Sequence, residues 1–199
     1  MQPVVSIVIP TYQRCSRLKK ALQSVISQTY KDFEVLIMDD GSNDGTKEMV
    51  MNLNDSRISY YWQKNSGGPA KPRNEGIKKA RGKYVVRLDS DDYVNFDYLN
   101  ILYLYIENNN FDAVGWDYYL VDDNENFLEK RNCMTHPIGS GIIFRIAQLV
   151  DIGLYDENFL INEEVELRKR FEKKYSVERV PLPLYRYRQH ISNMTKKKR

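Results

Sequence analysis

Cysteine, histidine and tryptophan are scarce in this chain, and it has neither a long apolar run nor a dominant charge. Two cysteines occur in 199 residues. Cys15 and Cys133 stand in unrelated contexts with no CxxC or Cys/His spacing, so they form no disulfide framework and read as free thiols of a reducing compartment. No stretch has the apolar length needed to span a bilayer. Thirty Lys and Arg against 27 Asp and Glu leave a formal charge of +3, too mild to argue for a nucleic-acid or membrane partner. No GxGxxG follows a predicted strand, which excludes a dinucleotide-binding dehydrogenase. Linkers, internal repeats and low-complexity segments are absent too. What is present, 42% apolar and 29% charged residues, is ordinary for a soluble globular protein with one sizeable core.

The ends are equally plain. "MQPVVSIVIPTYQRC" has no charged n-region and no small-residue cleavage site, and looks like a first strand. The expectation is a cytoplasmic protein. The basic run Lys196 to Arg199 is a solvated, frayed terminus in its bland reading. In its sharper reading it is a weak contact with anionic lipid at the inner membrane surface.

The N-terminal half alternates. "VVSIVIP" (4–10) is a β-branched run stopped by proline, as expected of a strand buried on both faces. Leu18, Leu22, Val25 and Ile26 then recur at helical spacing behind a Ser16 N-cap candidate. "FEVLIMDD" (33–40) is a second strand, "GSNDGT" a turn, and "KEMVMNL" a helix. "ISYYWQ" (58–63) is a third strand, and 67–82 a glycine-rich loop and a helix stopped near Gly82. "KYVVRL" (83–88) is a fourth strand, followed by a helix through Leu99, Leu102 and Ile106. Such alternation implies right-handed crossovers and a mostly parallel, doubly wound α/β sheet with helices on both faces. Ligands then bind beyond the carboxyl ends of the strands. Thr11 and Tyr12, Asp39 and Asp40, and Asp89 and Asp91 all fall there.

After residue 110 the pattern changes. A strand, an Asp/Asn-rich turn and a returning strand span "DAVGWDYYLVDDNENFLEKR", and a short strand and a helix follow in "GSGIIFRIAQLVDIGLYDENF". "NEEVELRKRFEKK" (162–174) is a charged amphipathic helix with Val165, Leu167 and Phe171 as buried positions. Two strand-like pieces, "YSVERV" and "LPLYRYRQH", close the chain. The expected organisation is one domain over 1–199, with a nucleotide half (1–110) and an acceptor half (111–199).

Asp89-Ser90-Asp91 has the spacing of a carboxylate pair on an exposed loop, suited to a hard cation such as Mg²⁺ or Mn²⁺ whose shell substrate phosphates complete. Acidic loops are common and a lone DxD is weak; its position after an apolar strand strengthens it. Asp39 and Asp40 end another strand. A carboxylate there repels phosphate but accepts from a base N–H or a ribose hydroxyl.

These residues carry a resemblance. Through "VSIVIPTYQRCSRLKKALQSVISQTYKDFEVLIMDDGSNDGT", "NSGGPAKPRNEGIKKARGKYVVRLDSDD", "GLYDENFLINEEVELRKR" and "YRYRQHIS", nearly the whole chain is similar to family 2 glycosyltransferases of the GT-A fold. The resemblance implies that Pro10, Thr11 and Tyr12 line a nucleotide pocket, with Tyr12 against the base. It implies that Asp40 accepts from the base and Arg73 reaches the base or the diphosphate. Asp89 would approach the ribose or a metal, and Asp91 would ligate Mn²⁺ or Mg²⁺, with His190 completing the shell or contacting the diphosphate. The donor is then a nucleotide-diphosphate sugar, with uracil implied and guanine or thymine used by relatives. The acceptor is a hydroxyl-bearing saccharide or glycolipid, and no nucleic acid takes part.

The family inverts the anomeric centre with the second acid of a Glu-Asp pair as base. Here the pair is Glu163-Glu164, so Glu164 is the candidate, one methylene longer than usual; on charge alone both acids simply suit a helix N-terminus. Arg186 and Arg188 alternate on one strand, and either suits phosphate. Arg87 stands where relatives are usually apolar and has no evident partner; His136 matches nothing. Longer relatives continue into C-terminal helices or membrane segments. The acceptor site is therefore small, completed by a partner, or part of a longer chain. The rival is a non-catalytic or impaired sugar-nucleotide binder of the same fold. A nucleotidyltransferase is disfavoured because "PTYQRCS" lacks a glycine-rich phosphate loop.

Overall fold

The computed structural model describes residues 2–159 and 163–190. Along the chain run β1 (Val5–Thr11), α1 (Cys15–Ile26), β2 (Phe33–Asp39), α2 (Thr46–Met51), β3 (Ile58–Trp62), α3 (Ala70–Lys79) and β4 (Tyr84–Arg87). Then come β5 (Tyr93–Val94), α4 (Tyr98–Asn108), β6 (Ala113–Val121), β7 (Phe127–Arg131), β8 (Ile142–Arg145), α5 (Ile146–Asp151), α6 (Glu163–Phe171) and β9 (Val177–Arg188). They build one nine-stranded sheet in the order β3-β2-β1-β4-β8-β6-β9-β5, with β7 paired to β6. The first four strands are mutually parallel. The later strands mix directions: β8 is antiparallel to β4 and β6, and β9 is parallel to β6 but antiparallel to β5.

Both faces are covered, which is why the early strands are continuous apolar runs. Ile7, Ile9, Val35, Ile37 and Val86 pack beneath Leu18, Leu22 and Val25 of α1 and Leu99, Leu102 and Ile106 of α4. Val8, Leu36, Met38 and Val85 point the other way, onto Ala70 and Ile77 of α3, Leu149 of α5 and Leu167 and Phe171 of α6. Register then aligns the strand ends: Thr11 lies beside Asp39, and Asp39 beside Trp62. The register of β4 with β1 ends at Val8 and Arg87, and Leu88 N–H still donates to Val8 O at 3.1 Å, so the chain leaves the sheet from Asp89 onward.

On α3, Gly76 lets the helix sit directly on the sheet. A methyl group there would collide with Val8 and come within 3.0 Å of Met38 Cγ. Gly76→Ala is expected to cost about 1–3 kcal/mol through overpacking, read as a lower urea midpoint at unchanged slope. A loss under about 0.5 kcal/mol, the range of ordinary surface substitutions, would show that α3 lifts freely from β1.

The structure departs from the sequence expectations in five places. Helix α1 starts at Cys15 with Arg14 at its cap, so Ser16 lies inside the first turn. Its terminal Cys15 N–H instead donates to Asp44 Oδ2, 2.8 Å away, and the other oxygen of Asp44 accepts from Thr46 at the start of α2. One loop carboxylate thus serves two helix N-termini, a favourable place for negative charge. Helix α3 ends at Lys79, before Gly82, because Ala80 is already extended. Strand β5 is too short to leave a period. The two C-terminal pieces are a single strand, β9, whose register shifts opposite Trp116 to Tyr118; Pro181 and Pro183 interrupt its apolar pattern without ending it. Finally, Leu167 and Phe171 are buried, but Val165 is only half-buried. The basic run Lys196 to Arg199 lies outside the described residues.

Candidate active site

The rim above β1, β2 and β4 is fastened by its own acids. Asp39, fully buried, accepts from Ser42 N–H at 2.8 Å and from the Tyr60 hydroxyl at 2.6 Å. Asp40 accepts from Gln63 Nε2 at 2.6 Å and from Ser66 through both backbone N–H (3.0 Å) and hydroxyl (2.9 Å). Its first role is therefore to draw the 63–68 loop across the strand ends. Gly41 permits the approach: its φ is +98°, and a side chain there would press on Asn65 N at 2.9 Å. Thr11 is buried with its hydroxyl unpartnered among the described residues, whereas Tyr12 is 49% exposed and Pro10 half-buried. The three line one edge of the rim.

The 88–92 loop separates its three acids into three environments. Asp89 accepts from Arg73 Nη2 at 3.2 Å and from the Ser140 hydroxyl at 2.5 Å. Burial alone would raise its carboxyl, but the guanidiniums of Arg73 and Arg87 outweigh that and hold it below the usual carboxylate range. Asp91 is buried and turns Oδ2 to Arg14 and to His190 Nε2, the latter at 2.7 Å. Asp92 accepts from Arg188 N–H (2.8 Å) and the Tyr185 hydroxyl (2.7 Å), tying the loop to β9. Burial and the nearby Asp89 charge push its carboxyl up to about 8.

His190 is buried, and Arg17 Nη1 lies 3.0 Å from its Nδ1. Burial, then the charges of Arg17 and Arg14, lower its pKa to about 4. The ring is thus neutral near pH 7, the form that ligates metals.

A divalent cation can be tested against these residues. Two adjacent ligands of an octahedral ion with bonds of about 2.1 Å lie about 3 Å apart, so Asp91 Oδ2 and His190 Nε2, at 2.7 Å, need only a small separation to bracket one. Carboxylate and imidazole suit Mn²⁺ or Mg²⁺ with the rest of the shell supplied by water and phosphate. Among the described residues no group of three or more His, Cys, Asp or Glu converges on one point. The donor set fits an ion shared with a substrate, not a closed protein cage.

At the opposite wall, Arg73 pairs with Asp89 and with Glu163, and only 4% of it is exposed. It therefore ties the β4 loop to the start of α6. Glu163 is consumed in that tie. Glu164, half-buried one position on, makes no hydrogen bond or ion pair among the described residues and faces Gly139. Arg87 lies across the Tyr155 ring at 4.6 Å, and burial followed by the Arg73 charge lowers its pKa. Arg188 is buried, with its backbone N–H on Asp92, while the Arg186 guanidinium lies over the Tyr119 ring at 4.5 Å. His136 is exposed, beside Thr135.

Sequence reasoning missed Arg14 on Asp91, Ser140 on Asp89, Tyr155 under Arg87 and the Gln63–Ser66 clasp on Asp40. Each lies far along the chain from its partner and in no motif of its own. The "GSG" around Ser140 was the one local signal, a small-residue bend close to the rim.

A sheet that is parallel through its first four strands, helices on both faces and an acid-lined rim define an α/β protein of the GT-A type. The sequence profile of Glycosyl transferase family 2 matches residues 6–169, and the chain belongs to that family. It is 34% identical over 186 residues to an uncharacterized glycosyltransferase of Rickettsia conorii, covering 87% of this chain and 31% of that one. The chain thus spans under a third of that relative's length. The fold is shared with S. aureus TarS in complex with UDP-GlcNAc (TM-score 0.84, 23% identity, 96% of this chain and 60% of that chain). It is shared also with mannosyltransferase PcManGT of Pyrobaculum calidifontis in complex with GDP-Man and Mn²⁺ (TM-score 0.75, 18% identity, 94% and 57%).

Proposed function

We propose that this chain is the catalytic part of a metal-dependent, inverting glycosyltransferase that moves a sugar from a nucleotide-diphosphate donor to a hydroxyl of a saccharide or glycolipid, in surface polysaccharide or glycolipid synthesis. Residues 1–110 serve the donor and 111–199 the acceptor and base. The observation that carries this reading is Asp91 against the buried, neutral His190 at 2.7 Å, on the rim whose far wall presents the carboxylate of Glu164, which makes no hydrogen bond or ion pair among the described residues. Uracil is the donor base of choice, since TarS is solved with UDP-GlcNAc; the GDP-Man complex of PcManGT keeps guanine in the test.

In this reading Tyr12 and Asp40 receive the base, while Pro10 and Thr11 line its pocket. Arg73 holds Asp89 toward the ribose and braces Glu163, so that Glu164 stands beside the acceptor. Asp91 and His190 would hold Mn²⁺ or Mg²⁺, which would supply neutralisation of the departing diphosphate charge. Glu164 takes the proton of the acceptor hydroxyl as its oxygen attacks the anomeric carbon from the face opposite the leaving group. The old bond to the diphosphate breaks, and the nucleoside diphosphate leaves. Among the described residues no helix is long and apolar enough to cross a membrane. A cytoplasmic site, with the acceptor presented at the inner membrane surface, is part of the proposal.

The test is calorimetric titration of UDP, GDP and dTDP, each with and without Mn²⁺. One nucleotide is expected to bind at least roughly tenfold more tightly with the ion, a gap of about 1.4 kcal/mol. Equal binding in both conditions would remove the metal from the reading. No binding of any nucleotide would remove the donor site.

A further inference from the structure

Both groups assigned to the metal have a cationic neighbour of their own. Asp91 Oδ2 pairs with Arg14 Nη1 as well as with His190 Nε2, and Arg17 Nη1 lies 3.0 Å from His190 Nδ1. The two contacts on Asp91 fall on the same oxygen, the one that has to part from His190 Nε2 to admit an ion. Arg14 is therefore a competitor for that oxygen, offering one positive charge where a divalent ion offers two.

Arg14 is also the partner best placed to leave. It stands in the β1–α1 connection at the cap of α1, and its side chain makes no cap hydrogen bond. Its side chain is 22% exposed, against 9% for Asp91 and 1% for His190. Burial fixes the carboxylate and the imidazole, while a long, partly solvated arm is free to turn. Asp91 is the one ion-pair partner of Arg14 among the described residues. Asp89 and Asp92 act on it through space, but Asp89 accepts from Arg73 and Ser140, and Asp92 from Arg188 N–H and Tyr185.

Two cations on one carboxylate oxygen repel each other strongly at contact distance. An anion relieves that repulsion, and the donor brings one. Arg14 follows two residues after Tyr12, assigned to the base, and touches Asp91, assigned to the ion. It thus stands between the two ends of the proposed nucleotide site, where a diphosphate offers the acceptors a guanidinium suits.

We propose that Arg14 couples ion and donor: it holds Asp91 against free metal and releases it when a nucleoside diphosphate arrives to accept the guanidinium, so the two ligands enter together. The proposal deepens the donor-site reading above and rests on its assignment of Asp91 and His190 to the ion. A residue that only orients Asp91 has the opposite signature. Its loss weakens ion binding, whereas the loss of a competitor strengthens it.

The test is titration of Mn²⁺ followed by electron paramagnetic resonance, without nucleotide and with saturating UDP, after subtraction of the ion that UDP binds in the absence of protein. If another nucleotide is selected by calorimetry, it replaces UDP. Wild type is compared with Arg14→Gln, Arg14→Lys and Lys20→Gln, with thermal unfolding as a control. In wild type UDP is expected to tighten Mn²⁺ roughly tenfold or more, within the usual range of coupling between two ligands. Arg14→Gln is expected to bind Mn²⁺ alone roughly tenfold more tightly than wild type, and its gain from UDP is expected to shrink correspondingly. Arg14→Lys keeps the charge and is expected to stay near wild type. Lys20 pairs with Glu125, not Asp91, so K20Q is expected to lie within about twofold of wild type, the remainder being screened by salt.

Unchanged or weaker binding of Mn²⁺ alone by folded R14Q would overturn the inference and leave Arg14 a positioning residue of Asp91. An equal gain in K20Q would overturn it too, by assigning the effect to the general field of α1. If Arg14→Gln does not fold, Arg14→Met takes its place; a wild type with the same Mn²⁺ affinity with and without UDP overturns the inference by itself. Failure of Mn²⁺ to bind under either condition would remove the metal from the donor-site reading, and this inference with it. A negative result confined to the Arg14 variants leaves that reading standing.

Discussion

Glu164→Gln is expected to lower sugar transfer by roughly 10²–10⁴-fold, the usual contribution of a positioned general base, while nucleotide affinity stays within about twofold of wild type by the same logic of unchanged ground-state contacts. The reason is the division of labour at the start of α6. Glu163 is buried and paired with Arg73, whereas Glu164 makes no hydrogen bond or ion pair among the described residues and lies beside Gly139. The amide keeps the shape and removes only the proton acceptor. Glu164→Asp makes a second point. It shortens the arm by one methylene toward the length common in relatives, so it is expected to retain measurable transfer where the amide retains almost none. Transfer by Glu164→Gln at the wild-type rate would sink the assignment and favour a sugar-nucleotide binder. Glu163→Gln separates structure from chemistry: it breaks the tie to buried Arg73 and is expected to lower the unfolding midpoint as well as activity.

Asp91→Ala is expected to abolish the Mn²⁺-dependent part of nucleotide binding, bringing affinity with the ion down to the ion-free value, a loss of roughly tenfold or more. Titration of Mn²⁺ followed by electron paramagnetic resonance checks the same point without any turnover. His190→Ala is expected to weaken the ion less, because a carboxylate contributes charge that an imidazole does not. Removing Asp91 also strips a partner from Arg14 and His190, and an unpaired buried group costs about 1–3 kcal/mol. A stability measurement must therefore accompany the binding. Full Mn²⁺ dependence in a folded Asp91→Ala protein would show that Arg14 and His190 hold Asp91 for structural reasons alone.

How much of this was legible beforehand depended on the range of the interaction. Thr11, Asp39, Asp40 and Asp89 could be gathered on one rim because parallel strands buried on both faces must end together, and each strand announced itself by an uninterrupted apolar run. The start of α1 could not be read correctly. Its cap comes from Asp44 in the following connection, and a side chain from another loop leaves no mark beside Ser16. Strand β9 was split in two because Pro181 and Pro183 break its alternation, although pairing along β6 carries it through both. The roles of the two adjacent glutamates were open for a geometric reason. Successive helix positions point about 100° apart, and nothing local says which direction meets Arg73.

The sequence by itself determined the doubly wound fold, the identity of the acids at the strand ends and the family, because these rest on local periodicity and on contiguous motifs. Tertiary structure alone decided what each charged group faces. It gave Asp89 to Arg73 and Ser140, and Asp91 to Arg14 and His190. It buried Asp92 against β9, set Glu164 beside Gly139, and stacked Arg87 on Tyr155 within reach of the charges of Asp89 and Glu164. Electrostatic partnership acts through a few ångströms of space, and chain separation carries no information about it.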